Sequence, residues 1–142
     1  MKTLVVIKPD GVERGLVGEI ISRFEKYGFS IKAIKITQLN RETAERLYAV
    51  HEGKTFFDDL IQYVTSGHII PLVIEMKDSG IEEGIKLIRK IVGATNPLEA
   101  EMGSIRGDYA SDISYNIVHA SDSEKSNSYE TPIFFNKEEI LD

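Results

Sequence analysis

The segment from Asn116 to Asp122, N-I-V-H-A-S-D, brings together residue types that could react with phosphorus. Ser121 with Glu124 matches the S-x-x-E capping pattern, which predicts a helix N-terminus directly after His119. A helix N-terminus carries partial positive charge and free N–H groups, so it attracts anions. A histidine beside such a site could attack a phosphoryl group. The alternative is a histidine at a strand end with a local hydrogen bond.

Cationic side chains that could hold phosphates are scattered along the chain. Lys8 follows an apolar run, Arg89 lies on the shoulder of an amphipathic pattern, and Arg106 stands in G-S-I-R-G-D. Each also has a structural alternative: a solvated lysine, an arginine whose stem covers apolar surface, or a loop ion pair. The glycines beside Arg106 permit close approach of the backbone to a ligand, which favours a binding role there.

Several other motifs are excluded. The Gly53-Lys54-Thr55 triplet resembles the end of a phosphate-binding loop, but Tyr48 stands where that loop needs glycine. The chain has no G-x-G-x-x-G, its histidines lack metal-ligand spacing, and it contains no cysteine. The pair Asp58-Asp59 fits a solvated helix face. A dedicated metal site is therefore not predicted.

The composition is that of one globular domain, residues 1–142, with 42% hydrophobic and 28% charged residues. The net charge of -6 means that a polyanion must bind in a local basic pocket. The first apolar run ends at Lys8, too early for a signal peptide, and no stretch is long enough to span a membrane. We therefore expect a cytoplasmic protein.

Hydrophobic periodicity predicts the elements that must position these residues. The predicted strands are Thr3–Ile7, Phe29–Leu39 with either a bulge or a half-exposed face, His68–Met76, and a last one at Ile117-Val118. The predicted helices are Gly18–Tyr27, one from Asn40 to about Val50, Phe56–Val64, one from a Ser79/Glu82 capping box to Gly93, and a terminal helix opened by Asn136 and Glu139. We expect a turn at Lys8–Gly11 and a long loop at Thr95–Tyr109.

Without the extra helix pair, the order of elements is βαββαβ, the ferredoxin-like order. The predicted fold class is α+β: a four-stranded antiparallel sheet with helices on one face and additional helices. Such a sheet leaves a face or an edge exposed, and association with another chain is one way to cover it.

Six blocks of sequence, in this order along the chain, carry a resemblance to a known family. They are I-K-P-D-G-V at Ile7–Val12, R-G-L-V-G at Arg14–Gly18, Phe56-Phe57, G-A-T-N-P at Gly93–Pro97, I-R-G-D at Ile105–Asp108, and N-I-V-H-A-S-D at Asn116–Asp122. Over nearly its full length, the chain resembles the nucleoside diphosphate kinases.

The resemblance implies transfer of a γ-phosphoryl group from a nucleoside triphosphate to a nucleoside diphosphate by a ping-pong mechanism. His119 matches the histidine that becomes phosphorylated, Glu130 the residue that orients its ring, and Ser121 a residue nearby. Because one nucleotide site serves donor and acceptor in turn, the phosphoryl group must wait on the protein.

The resemblance also implies the remaining contacts. Phosphates would be held by Arg89, Arg106, Thr95 and His51, with Lys8 and Tyr48 near the transferring group, and Mg²⁺ would be bound mainly through the nucleotide's own phosphates. Phe56 and Ile113 match the residues on the two faces of the base, Leu60 lines the same slot, and Lys8 and Asn116 match residues that bind the ribose. Stacking accepts any base, which predicts broad nucleotide use. For Phe56 and Leu60 the alternative is simple helix packing.

The chain departs from the family pattern in places. Thr55 and His68 each stand where many relatives have proline, Ser114 where glycine is usual, and Thr131-Pro132 follows Glu130 in place of a more helical continuation. The family forms hexamers or tetramers built from dimers, so we expect a homo-oligomer.

Two other functions are compatible with the same fold. One is a nucleotide- or nucleic-acid-binding regulatory module, although the negative charge and the lack of a run of sheet aromatics argue against nucleic acid. The other is a structural or regulatory oligomer in which catalysis is secondary.

Overall fold

The computed structural model describes residues 1–113 and 115–142, so the departure at Ser114 lies outside the described residues. Its sheet consists of four strands: β1 (Lys2–Ile7), β2 (Ser30–Ile34), β3 (Ile70–Glu75) and β4 (Val118–Ala120). The helices are α1 (Pro9–Glu13), α2 (Val17–Lys26), α3 (Arg41–Leu47), α4 (Phe57–Val64), α5 (Ile81–Val92), α6 (Ile105–Tyr109) and α7 (Glu124–Phe134), with 3-10 turns at Ala49–His51 and Lys137–Glu139.

The strand order is β2-β3-β1-β4, and every pair of neighbours is antiparallel. This confirms the predicted ferredoxin-like α+β fold with additional helices. The register of β2 against β3 shifts between Ile31 and Ala33, so the bulge, one of the two predicted alternatives for this strand, is present. On the other side of the sheet β1 pairs with β4, and Val6 lies opposite His119.

Helices cover both faces of the sheet, so the expectation of one covered face was wrong. On β1, Val5 packs into a core with α2 and α5, whereas Val6 packs into a second core with α3, α4 and α7. Strands β1 and β3 are apolar at successive positions rather than at every second one. A strand of this kind must be buried on both sides.

Two predicted helix starts were also wrong. The cap of α7 is Ser123, whose hydroxyl accepts from the Ser126 N–H, and not Ser121. The cap of α5 is Gly80, whose side chain makes no capping bond, and the Ser79 hydroxyl is buried with no partner among the described residues. In both cases a serine near the start made the pattern ambiguous by one or two residues.

The predicted turn and the predicted long loop each contain a short helix. Lys8–Gly11 enters α1, which Pro9 begins, because a proline at the first helical position is already set to the helical φ. The segment from Thr95 contains α6, which Ser104 caps by accepting from the Gly107 N–H at 3.0 Å. Five residues are too few for a visible helical period, but the capping serine was a signal.

Strand β4 is longer than predicted and begins at Val118, not at Ile117, while the remaining elements follow the predictions with shorter bounds. Asn40 caps α3 by accepting from the Thr43 N–H at 2.8 Å. Asn136 and Glu139 form the predicted capping box, although only a 3-10 turn follows it. No helix in residues 1–113 or 115–142 is both long and apolar enough to cross a bilayer.

Candidate active site

One cavity of about 420 Å³ brings together most of the residues that the sequence analysis singled out. They reach it from strand ends, helices and connecting segments: Lys8, Tyr48, His51, Phe56, Leu60, Arg89, Thr95, Arg106, Ile113, Asn116 and His119. Ala120 and Asp122, which had no predicted role, complete the lining. The other two predicted residues lie outside this lining: Glu130 contacts His119, and Ser121 contacts Glu130.

The His119 side chain lies within β4, not between a strand and a helix start as predicted. Its Nε2 is 2.8 Å from Oε1 of Glu130, and the Ser121 hydroxyl donates to the same oxygen at 2.7 Å. A carboxylate can only accept, so Nε2 must carry the ring proton. Nδ1 then keeps an unprotonated lone pair, the requirement for attack on an electrophile.

The Tyr48 ring meets His119 edge to face, with 5.8 Å between ring centroids. Its hydroxyl is buried with no hydrogen-bond partner among the described residues. Burial, together with the nearby Glu130 carboxylate, raises the pKa of Tyr48, so the hydroxyl stays protonated. Tyr48 therefore offers an unused donor beside the histidine.

The Lys8 and Asn116 side chains are joined although they lie far apart in the chain. Lys8 Nζ donates to Asn116 Oδ1 at 2.8 Å, and Asn116 Nδ2 donates to the Thr95 carbonyl at 3.3 Å. Burial, assisted by the charge of Arg106 and opposed by Asp10, lowers the pKa of Lys8 to about 8. The pair is thus fixed in place before any ligand binds.

The backbone of Ile117 is held in a strained conformation between Asn116 and β4. Its φ is 75°, the left-handed region that β-branched residues rarely adopt. The Ile117 N–H donates to Asp10 Oδ2 at 3.1 Å, and its carbonyl accepts from the Lys8 N–H at 2.8 Å. Tyr63 donates its hydroxyl to the other oxygen of Asp10.

Asp10 and Tyr63 were missed by the sequence analysis, which gave Asp10 no role. Nothing local signals a bond between Asp10 and a residue 107 positions away. The I-K-P-D-G block was the only available hint. This contact fixes the chain between the two cavity residues Asn116 and His119.

The two arginines of the cavity are held differently. Arg106 is 9% exposed and donates to three backbone carbonyls, those of Asn116, Gly93 and Val118, at 3.3, 3.1 and 2.6 Å. Burial, then the charge of Arg89, lowers the pKa of Arg106 to about 10. Arg89 lies near the end of α5 with its side chain exposed. Both arginines line the cavity, but Arg106 is fixed by the backbone while the side chain of Arg89 is exposed.

An aromatic wall closes another side of the cavity. His51 stacks on Tyr48 with 6.3 Å between centroids and tilts against Phe56 at 5.3 Å. Lys54 Nζ is 3.0 Å from His51 Nδ1 and 5.7 Å from the centre of the Phe56 ring. Burial and the charges of Lys54 and His119 lower the pKa of His51. A positive charge on His51 would therefore depend on a bound phosphate, which favours the protonated ring.

Among the described residues, Asp122 contributes the one carboxylate that lines the cavity. The Ser126 hydroxyl donates to it at 2.6 Å and holds the pKa of Asp122 below its usual range. No cluster of three or more histidine, aspartate or glutamate side chains suited to a metal occurs within residues 1–113 and 115–142. A divalent cation would thus need most of its ligands from a bound molecule and water.

Comparison with known proteins identifies similar sequences along the whole chain. The family model "Nucleoside diphosphate kinase" matches residues 1–140. A nucleoside diphosphate kinase of Sulfurisphaera tokodaii is 51% identical over 140 residues, which are 99% of this chain and 92% of that protein. The one from Sulfolobus acidocaldarius is 54% identical over 134 residues, 94% of this chain and 89% of that protein.

Solved structures have the same fold. A nucleoside diphosphate kinase from Halobacterium salinarum in complex with CDP superposes with a TM-score of 0.92 at 39% identity, covering 100% of this chain and 91% of that one. The nucleoside diphosphate kinase of Aquifex aeolicus has a TM-score of 0.91 at 36% identity, with 99% and 98% covered.

Proposed function

The chain belongs to the nucleoside diphosphate kinase family and has that activity, and we propose that His119 carries the phosphoryl group between two nucleotides. The observation that carries this proposal is the bond from His119 Nε2 to Glu130, 2.8 Å long. It leaves Nδ1 unprotonated in a cavity with several cations. This nitrogen is the nucleophile.

In the first half-reaction, the Nδ1 lone pair attacks the γ-phosphorus of a nucleoside triphosphate. The bond from phosphorus to the β–γ bridging oxygen breaks, and the nucleoside diphosphate leaves with that electron pair. Nε2 keeps its proton, and the Glu130 carboxylate offsets the positive charge of the phosphorylated ring. A second nucleoside diphosphate then attacks through its terminal oxygen and regenerates His119.

The protein stabilises this transfer mainly by position and charge. Arg89 and Arg106 bind the phosphates with Thr95, and Tyr48 donates its free hydroxyl to the transferring group. His51 adds charge when a phosphate arrives, because the phosphate favours its protonated form. Lys8 and Asn116, already bonded to each other, bind the ribose hydroxyls.

Mg²⁺ fits this site as a companion of the nucleotide. Its ligands would be phosphate oxygens and water, and Asp122 on the cavity wall could contribute a carboxylate. Bound there, the ion would neutralise part of the phosphate charge.

Phe56 gives the site its tolerance of different bases. The side chain is 45% exposed at the cavity rim, where it can stack on any base. Phe56→Ala should raise KM about 10-fold or more for several nucleotides and lower kcat less, because stacking acts on bound substrate and transition state alike. A loss in kcat with KM unchanged would contradict this role. Phe57→Ala is the control: this neighbour packs against the core, so stability should fall instead.

The proposed partners are nucleoside di- and triphosphates and further copies of this chain. The Halobacterium salinarum relative was solved with CDP, which supports a nucleoside diphosphate as ligand here. Hexamers or tetramers built from dimers, and a cytoplasmic location, belong to the same proposal. Light scattering of the purified protein gives the number of subunits.

The decisive experiment is single-turnover labelling. The protein is mixed with γ-labelled ATP and Mg²⁺, freed of nucleotide, tested for acid-labile, base-stable label, and chased with GDP. We expect label that leaves as GTP, and none on His119→Ala, while the exposed His68→Ala labels normally. An unlabelled but folded wild-type protein that still binds nucleotide would refute the proposal.

A further inference from the structure

Helix α7 reaches β1 at backbone that β4 leaves uncovered. Strand β4 pairs only with Val5, Val6 and Ile7. Next to them, Asn127 of α7 accepts from the Leu4 N–H at 3.0 Å and donates to the Lys2 carbonyl at 2.9 Å. Only one orientation of the amide satisfies both groups, since an N–H must donate and a carbonyl must accept. The side chain thus occupies the place of a strand residue.

The same face of α7 carries the carboxylate that contacts the histidine. Glu130 lies three residues after Asn127, and Thr131, four residues after it, donates its hydroxyl to Asn127 Oδ1 at 2.8 Å. Glu130 Oε1 accepts from His119 Nε2 and from the Ser121 hydroxyl.

Further hydrogen bonds connect β1 to both segments that position His119 and Glu130. The Leu4 carbonyl accepts from the Ser121 N–H at 3.2 Å, while the Leu4 N–H is held by Asn127. One residue of β1 therefore fixes both the segment after His119 and the helix that carries Glu130.

The bonds from Asn127 to β1 matter for α7 because the helix's own hydrogen bonding is interrupted. Pro132 lies inside α7 and has no N–H, so the Ser128 carbonyl loses its usual helical partner. The residue before a proline is also disfavoured in helical conformation. Without other contacts, the interrupted helix would therefore fix the position of Glu130 only weakly.

We propose that Asn127 is a positioning residue for phosphoryl transfer: its amide, bonded to β1 and to Thr131, sets the place of the Glu130 carboxylate against His119 Nε2. This inference rests on the proposed role of His119. Asn127 is not a catalytic residue, because it lies outside the cavity lining and acts through Glu130.

The kinetic test uses Asn127→Ala, with Ser128→Ala, an exposed change on the same helix, as its matched control. The rate of His119 phosphorylation at saturating ATP and Mg²⁺ should fall on the order of 10- to 100-fold in Asn127→Ala, as expected when a reacting group is misplaced by about 1 Å. KM for ATP should change less than about 3-fold, because no nucleotide contact is removed. Ser128→Ala should match wild type. Thr131→Val, which removes one of the three hydrogen bonds of the Asn127 amide, should lower the rate less than Asn127→Ala does.

A double-mutant cycle separates positioning from a general loss of structure. If Asn127 acts through Glu130, Asn127→Ala should cost less than about 3-fold in a Glu130→Ala background. An equal loss in both backgrounds, or no loss in wild type, overturns the inference. If Asn127→Ala does not fold, Asn127→Asp, which keeps both accepting contacts and loses the bond to Lys2, replaces it.

A spectroscopic measurement reports the same effect without turnover. The ¹⁵N shifts of the His119 ring should show a single Nε2–H tautomer in wild type and a mixture of tautomers in Asn127→Ala. An unchanged tautomer overturns the inference. Failure of the proposed function is distinct, because wild type itself would then carry no label on His119.

Discussion

At the scale of single residues, the two arginines of the cavity differ in what they contribute to stability. Arg106 bonds three backbone carbonyls, whereas Arg89 is exposed. Each alanine variant should lower kcat/KM on the order of 100-fold, through lost stabilisation of transferring charge. Only Arg106→Ala should also lower the unfolding free energy, by about 3 kcal/mol, because it removes three hydrogen bonds to backbone carbonyls and leaves the carbonyl of the buried Val118 without this donor.

Urea unfolding of both variants checks this difference. Arg106→Lys is the control, because it keeps a charge but cannot reach three carbonyls. Equal stability of the two alanine variants would show that the backbone bonds of Arg106 contribute little.

Lys8 should give activity and stability opposite dependences on pH. Its pKa is about 8, lowered mainly by burial from an ordinary 10.5. We expect kcat/KM to fall as pH rises through about 8, as the free enzyme loses this positive charge. The unfolded chain keeps its proton up to about 10.5, so between these values the unfolded state binds more protons. The Lys8 contribution to stability is therefore unfavourable below about 8 and improves toward 10.5.

Comparison with Lys8→Met isolates these effects from other titrating groups. The kcat/KM of the variant should show no fall near pH 8. In urea unfolding, the wild-type protein should gain stability relative to the variant between pH values of about 8 and 10.5. If kcat/KM of Lys8→Met still falls as the pH rises, the pH dependence belongs to another group.

At the scale of elements, the short helix α6 holds Arg106 in place through its packing. Arg23 of α2 bonds Asp108 at 2.8 Å and the Gly103 carbonyl at 2.9 Å. A Cβ on Gly107 would overlap the backbone oxygen of Glu101. Glycine is thus required here by close backbone approach and not by a turn.

Gly107→Ala should therefore lower stability by about 2 kcal/mol or more and reduce nucleotide transfer at the same time, since the clash shifts the helix that carries Arg106. Gly18→Ala is the matched control. Its Cβ would meet no atom within 4 Å, so alanine in α2 should stabilise by up to about 1 kcal/mol without affecting activity. Thermal unfolding with a coupled assay distinguishes the two, and an active, stable Gly107→Ala protein would contradict the role assigned to α6.

At the scale of the whole molecule, the sheet is the middle layer between two apolar cores. Val5 and Val6 are neighbours of the same type on β1, each no more than 1% exposed, and they face opposite cores. Each valine-to-alanine change should cost about 2 kcal/mol, mainly from lost apolar burial and the cavity left behind.

Urea unfolding of the two variants tests this layer order directly. Similar losses support two complete cores. A loss below about 0.5 kcal/mol for one variant would indicate an open face of the sheet, as a one-sided arrangement requires.

The chain's own sequence determined the strands, the main helices and the family. Apolar residues at adjacent positions of β1, the period of α5, and the Asn40 cap are local signals that hold wherever the segment lies. The resemblance then named the residues that line the cavity, although their roles stay predictions. Local patterns misplaced the starts of α5 and α7, where serines stand close to the cap. The five residues of α6 are too few to show a helical period.

Only the tertiary structure decided how those residues meet. Lys8 bonds Asn116 from 108 positions away, and Asp10 holds the strained Ile117 from 107. Asn127 reaches Leu4 across 123 positions. Contacts over such separations depend on the order of strands in the sheet and on which helix covers each face. No local pattern contains that information, so the orientation of His119 follows from the assembled fold.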